Sequence, residues 1–229
     1  MASSRAAVRS RFPPAAALLV ASFLGSLSCA APPPRLVPPS GGVEAVEGFG
    51  SASIAGAEAS IRGKFGFVFR QPDLGRIEAV DPLGRTAFLI VFRGERAWFV
   101  LPARGIYAED AAAVMMERFL GVALLPGEAV RLLSGSWGAG GDGAWAVERD
   151  AEGRGARGAR DGFALEVRAF FPGGAVPREI AVKGPGASGR VKVLKLGFNP
   201  QPRDEPFDTA FLRGYAAKTW EEILDLVDR

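Results

Sequence analysis

Between Val43 and Leu101 apolar side chains recur at every second position, in runs separated by short turns. A period of two is the side-chain period of a strand, and it excludes a helix, which repeats at about 3.6 residues. The run Lys64-Phe-Gly-Phe-Val-Phe-Arg70 places Phe65, Phe67 and Phe69 on one face, opposite Gly66 and Val68. Thr86-Ala-Phe-Leu-Ile-Val-Phe92 places Phe88, Ile90 and Phe92 on one face and Ala87, Leu89 and Val91 on the other. Arg93-Gly-Glu-Arg96 reads as a tight hairpin with Gly first in its loop. About five antiparallel strands in a meander follow from this pattern.

The middle of the chain changes period. Asp110 can cap a helix over Ala111–Leu120, with Gly121 just past its end and Met115, Met116, Phe119 and Leu120 as its apolar stripe. A second short helix is expected at about Gly127–Leu133, turning Val130 and Leu133 inward. Strands resume at Ala144–Asp150 and Phe163–Phe171, where Phe163, Leu165 and Val167 alternate with Glu166 and Arg168. Two more follow Pro177. In the last, the apolar face changes between Val193 and Leu194, which predicts a bulge. Thr219 and Glu222 form a capping box for a C-terminal helix, with Trp220, Ile223, Leu224 and Val227 on one face. Strands, then two helices, then strands make an α+β fold: a curved antiparallel half-barrel sheet with helices packed as a lid on its concave face.

The first residues read as targeting rather than structure. Arg5, Arg9 and Arg11 precede an apolar run from Ala15 to Leu27, too short for a membrane span of about 20 residues. The sole cysteine, Cys29, stands at the exit of that run and resembles the acylated cysteine of a bacterial lipobox, although Ser26 occupies the position where leucine is usual. An ordinary signal peptide with an incidental cysteine is the other reading. The expected domains are a signal segment at 1–28, an acylated Cys and Pro-rich tether at 29–42, a half-barrel at 43–198, and an extension with a helix at 199–229. Setting aside the three signal arginines leaves 25 basic residues against 25 acidic ones. The basic pI therefore belongs to the signal and points to no nucleic-acid partner.

The chain contains no histidine. That removes His-based catalytic triads and most zinc sites. The acid pairs Glu109-Asp110 and Glu221-Glu222 read as first-turn helix residues, where the helix dipole accounts for them. The Gly-rich stretch 138–145 lacks a P-loop lysine and reads as a loop. Residues 153–161 carry three arginines among Gly and Ala; they read as a solvated connection, or as a contact for anionic lipid headgroups. No enzyme, cofactor or metal is expected.

One turn stands apart. In Asp81-Pro-Leu-Gly84, Pro82 and Gly84 suit positions i+1 and i+3 of a type I turn, which places the large apolar Leu83 at the tip. Leu83 then either projects into solvent or folds back onto its own sheet. The inward set Phe65, Phe67, Phe69, Phe88, Ile90, Phe92, Met115, Met116, Phe119, Leu133, Phe163, Leu165 and Val167 suits an ordinary solid core or the wall of an apolar cavity. The two apolar faces of Thr86–Phe92 favour the cavity.

Cys29 with its preceding segment, the strings 63–92 and 105–135, Val176–Gly184 and Gly189–Leu196 together resemble LolB, an outer-membrane lipoprotein family. The resemblance covers about residues 48–197. It implies a half-open barrel whose apolar cavity holds acyl chains, with Leu83 matching a solvent-facing leucine that inserts into the outer membrane. The implied partners are a LolA-like periplasmic carrier, acylated lipoprotein cargo, and outer-membrane lipid through acyl chains on Cys29. A monomer on the periplasmic face of the outer membrane is expected. A lipoprotein of the same fold that binds another hydrophobic ligand, or that serves as an interaction component of an envelope assembly, is the alternative.

Overall fold

The computed structural model describes residues 35–56, 58–138 and 145–227. Pro34–Arg229 forms one compact unit. The expected signal segment, Cys29, the first part of the expected tether and most of the Gly-rich stretch lie outside the described residues.

Among the described residues the chain forms one sheet of twelve strands and three α-helices. The first five strands are the expected meander: β1 Ala45–Ala55, β2 Ser60–Arg70, β3 Leu74–Val80, β4 Thr86–Arg93 and β5 Arg96–Leu101. Gly94 opens the β4–β5 turn at φ +64°, a conformation that favours glycine. A sixth strand, β6 Ile106–Ala111, pairs antiparallel with β5. Helices α1 Ala112–Leu120 and α2 Pro126–Ser134 follow. The second half of the sheet is β7 Ala146–Arg149, β8 Gly155–Arg160, β9 Phe163–Phe170, β10 Pro177–Gly184 and β11 Ala187–Phe198. The two halves join where β11 pairs with β1, giving the order β12-β6-β5-β4-β3-β2-β1-β11-β10-β9-β8-β7. All described pairings are antiparallel except the short β12, Ala216–Ala217, which lies parallel to β6. The sheet is open and curved, and the helices pack on its inner face: the α+β half-barrel expected from the strand and helix order.

The expected bulge is present. Phe49 pairs with Lys195 and Gly50 with Val193, so Leu194 is the extra residue. Glycines in β1 make room for the rings of β2. A Cβ on Gly48 would come within 2.5 Å of the Phe67 ring, and one on Gly50 within 3.0 Å of the Phe65 ring.

Asp110 does not cap α1. Both Glu109 and Asp110 lie in β6, and the N-cap is Ala111, without a side-chain cap. The Asp110 carboxylate accepts hydrogen bonds from the Ala111 backbone N–H (2.8 Å) and the Arg118 guanidinium (2.7 Å). The helix does end at Gly121, at φ +75°. Residues 153–161 are not a plain connection: they contain β8. Its small residues have a steric cause, because a Cβ on Gly158 would sit 2.1 Å from the Trp137 ring.

The segment after Phe198 crosses the outer face of the sheet. Arg203 pairs with Glu47 (2.7 Å), Arg70 stacks on Phe207, and Leu212 packs on Leu89, Val91 and Val100. The chain then rounds the β6 edge as β12 and returns to the inner face as α3, Trp220–Val227. The capping box forms as expected: Glu222 receives the Thr219 N–H at 2.8 Å and donates its own N–H to Thr219 Oγ1 at 3.2 Å. Trp220 and Ile223 are buried beneath it, and Leu224 packs alongside them. The side chain of Val227 lies outside the described residues.

Candidate functional site: an apolar cavity and an exposed leucine loop

The inner face carries two apolar clusters. One lies under β1, β2 and β9–β11 with α2; the other lies under β4–β6 with α1 and α3. Between them is a cavity of about 120 Å³, walled by apolar side chains throughout. Of the residues singled out in the sequence, Phe65, Phe67, Phe69, Phe88, Met116, Leu133 and Leu165 line it. Ile90, Phe92, Met115 and Phe119 lie instead in the solid second cluster, where Phe99, Phe119 and Trp220 pack ring against ring. Phe163 is buried against Gly121 and Gly184, away from the wall. Val167 shares the inner face of β9 with Leu165 but is only half-buried and does not reach the cavity.

The wall also includes residues outside that inward set. Ile180 and Val182 of β10 and Val191 and Val193 of β11 face inward by the same period-two rule. Ile61, Ile77, Leu120 and Leu124 border the cavity and touch both clusters. Only Ala52, Ala79 and Ala129 carried no signal, since alanine marks neither face.

Two polar nodes fix the helical lid. At the start of α2, Glu128 accepts from the Leu125 backbone N–H (2.9 Å), the Trp145 indole N–H (2.9 Å) and Arg160 of β8 (2.7 Å). Arg160 also lies over the Trp145 ring and donates to the Ala123 carbonyl. At α1, Arg118 bridges Glu58 and Asp110 and lies 4.9 Å over the Trp220 ring. Among the described residues no three potential metal ligands cluster, and no helix is long and apolar enough to cross a membrane.

The arginines of 153–161 are engaged within the domain. Arg154 pairs with Asp150 and Glu152, Arg157 with Glu148, and Arg160 with Glu128. None of the three is left over as a cation for headgroups.

Leu83 is 77% exposed, the most exposed large apolar side chain among the described residues. Its loop is held firmly. Gly84 N–H donates to the Asp81 carbonyl (2.9 Å), closing the expected turn. The Asp81 carboxylate accepts the backbone N–H groups of Leu83 and Arg85, each at 2.9 Å, and the Arg85 Nε–H at 2.8 Å. The Arg85 backbone N–H, then the Arg85 side chain and the Leu83 N–H, hold the Asp81 carboxyl below its ordinary pKa. The outward pose of Leu83 is therefore built in by the loop.

The apolar outer face of β4 has a different cause from the one its sequence suggested. Leu89 and Val91 do not answer to a cavity; they are covered by Leu212 of the crossing C-terminal segment.

No known family profile matches the chain, and no curated protein matches it. Solved structures with a related arrangement include a DUF1329 family protein from Desulfovibrio piger, at 12% identity over 74% of this chain and 92% of that one, TM-score 0.46. A LolA superfamily protein from Nitrosomonas europaea matches at 9% identity over 73% and 91%, TM-score 0.46. A domain from Vibrio parahaemolyticus, described as an outer membrane lipoprotein-sorting protein domain, matches at 11% identity over 74% and 91%, TM-score 0.49. At such identities what this chain does must be read from its own residues.

Proposed function

We propose that the protein is an outer-membrane lipoprotein of the LolB kind, anchored through acyl chains on Cys29. It accepts acylated lipoproteins from a LolA-like periplasmic carrier and delivers them to the membrane that Leu83 touches. The observation that carries this reading is the cavity walled wholly by apolar side chains on the inner face of the sheet. Each acyl CH₂ taken into water costs about 0.8 kcal/mol, so a long chain needs shelter on the order of 10 kcal/mol throughout its journey. A wall without polar groups offers that shelter and reads no headgroup, which suits a receiver of varied cargo. Flexible Met116 in the wall adds adaptability.

The cavity as it stands is smaller than the roughly 300–1,000 Å³ of ordinary ligand sites. Acceptance then requires α1 and α2 to move outward, with Arg118 and the Glu128–Arg160 pair as the contacts that resist. No bond is made or broken. Direction comes from the relative affinity of carrier and receiver for the acyl group.

Leu83 has a limited task in this scheme. Burying one leucine in lipid is worth about 1.5–3 kcal/mol, enough to bias delivery but not to anchor a domain. Anchoring falls to Cys29.

The small cavity volume favours one second reading: a lipoprotein of this fold that holds a smaller hydrophobic ligand. A transfer assay separates the two. The chain from residue 30, without its acyl group, is mixed with a carrier loaded with labelled lipoprotein. Movement of label to this protein supports the acceptor. No movement, with the domain folded, removes it and leaves the small-ligand reading.

A further inference from the structure

A cluster of cations lies on the outer face of the sheet, remote from the cavity. Along β1, Ala52 and Ile54 line the cavity, so Ser51 and Ser53 point outward. Ser51 stands opposite Lys64 of β2 on one side and Lys192 of β11 on the other. Ser53 stands opposite Arg62 and Arg190, and Phe49 opposite Lys195. All five basic side chains are exposed. The side chains of Arg62, Lys64, Lys192 and Lys195 make no hydrogen bond or ion pair among the described residues. Glu179 of β10 stands opposite Lys192 in the ladder and lies 3.8 Å from Arg190. Elsewhere on this face acids are taken: Glu47 by Arg203, Glu78 by Arg76 and Thr86, Glu166 by Lys183 and Arg168. β2 and β11 flank β1, so Lys64 faces Lys192 and Arg62 faces Arg190 across two strand spacings, about 10 Å, and Glu179 leaves the five cations a surplus of positive charge. Such an arrangement suits an anionic surface that is absent from the isolated domain.

Register places the cluster beside the Leu83 loop. Lys64 pairs with Val80, the last residue of β3, and the loop follows directly. Because β2 and β3 are antiparallel, Arg62 lies further towards the loop's end of the sheet, level with Arg190 across Ser53. The exposed bulged Leu194 lies beside Lys195 on β11.

We propose that Arg62, Lys64, Arg190, Lys192 and Lys195 form a docking face for the anionic headgroups of a lipid surface, beside the Leu83 loop. It rests on the reading that Leu83 touches lipid. The leucine supplies depth and the cations supply orientation, tipping the domain onto its outer face and leaving the inner cavity turned towards an incoming carrier. Each cation near an anionic surface contributes enough that loss of two corresponds to about 30-fold in partitioning.

The test uses residues 35–229, which hold every described element of the compact unit, with vesicles of phosphatidylcholine alone or with about one-third phosphatidylglycerol. Wild type is expected to bind the anionic vesicles more tightly, and to weaken as salt rises. Lys64→Gln/Lys192→Gln should bind anionic vesicles about 30-fold more weakly, approaching the neutral ones. Equal binding to both vesicles, salt-independent binding, or wild-type affinity in the folded double variant would each overturn the proposal. Should the double variant misfold, the salt series on wild type decides alone. Leu83→Glu separates the underlying reading: if it binds as wild type while the lysine variant is weakened, the cationic face stands and the role of Leu83 falls.

Discussion

The two halves of the inner face start from the same kind of sequence and end as different things. Phe65, Phe67 and Phe69 in β2 and Phe88, Ile90 and Phe92 in β4 both alternate apolar and inward. The first set lines an unfilled space; most of the second is sealed into a solid core. What differs is the cover. Over β4–β6, α1 is joined by α3, whose Trp220 and Ile223 fill the trough. Over β1–β3 the cavity is covered by α2 and the end of α1, and among the described residues no further side chain fills it. A period-two pattern says which face turns inward. It does not say whether something arrives to fill that face.

The comparison breaks most directly at Trp220. Trp220→Ala removes a buried ring that touches Phe99, Phe119 and Arg118, and should cost about 3–5 kcal/mol in urea unfolding. Phe65→Ala, on the cavity wall and only half-buried, should cost less than half as much. Equal losses would mean that the two halves are packed alike.

The lid contacts come next. Removing one partner of the Glu128–Arg160 pair, as in Arg160→Leu, leaves a largely buried carboxylate beside the Trp145 indole. A loss of about 2 kcal/mol is expected, with faster hydrogen exchange in α2. Unchanged exchange would show that this node does not hold the lid.

Leu83→Glu should change stability by less than about 0.5 kcal/mol, because the side chain packs on nothing, yet lower vesicle binding about tenfold or more. A stability loss above about 1 kcal/mol would place Leu83 against the fold in solution.

The smallest effect concerns acid. The folded-state pKa of Asp81 is depressed, so its contribution to loop order is complete above the ordinary value near 3.8 and is lost as pH falls through the folded value. Amide signals of Leu83 and Arg85 should stay constant from pH 7 to about 4 and shift below that. A change centred near pH 6 would contradict the Asp81 clamp.

Much of the architecture was legible because local rules agree with the fold. The five-strand meander, the Gly121 stop, α2, the bulge at Leu194 and the Thr219–Glu222 box all follow from period, turn chemistry or capping. Three elements were not legible, for physical reasons. β6 contains Glu109 and Asp110, which imitate a helix start but serve as partners for Trp98, Arg96 and Arg118. β8 is made of Gly, Ala and Arg and shows no apolar stripe, and Trp137 occupies the space where a side chain at Gly158 would stand. The outer cover of β4 comes from Leu212, more than a hundred residues away, and no local pattern announces it. At the site, strand periodicity found the phenylalanines. It could not separate cavity wall from filled core, since that depends on where α3 lands.

The most direct test of the central claim is equilibrium binding of a fluorescent sixteen-carbon acyl probe to wild type and to Ala129→Phe. Ala129 lies on α2 at the cavity wall, and a phenyl ring there would occupy the space. Saturable binding by wild type and its loss in a folded Ala129→Phe are expected. Binding that survives the substitution, or no binding by wild type, would contradict that claim.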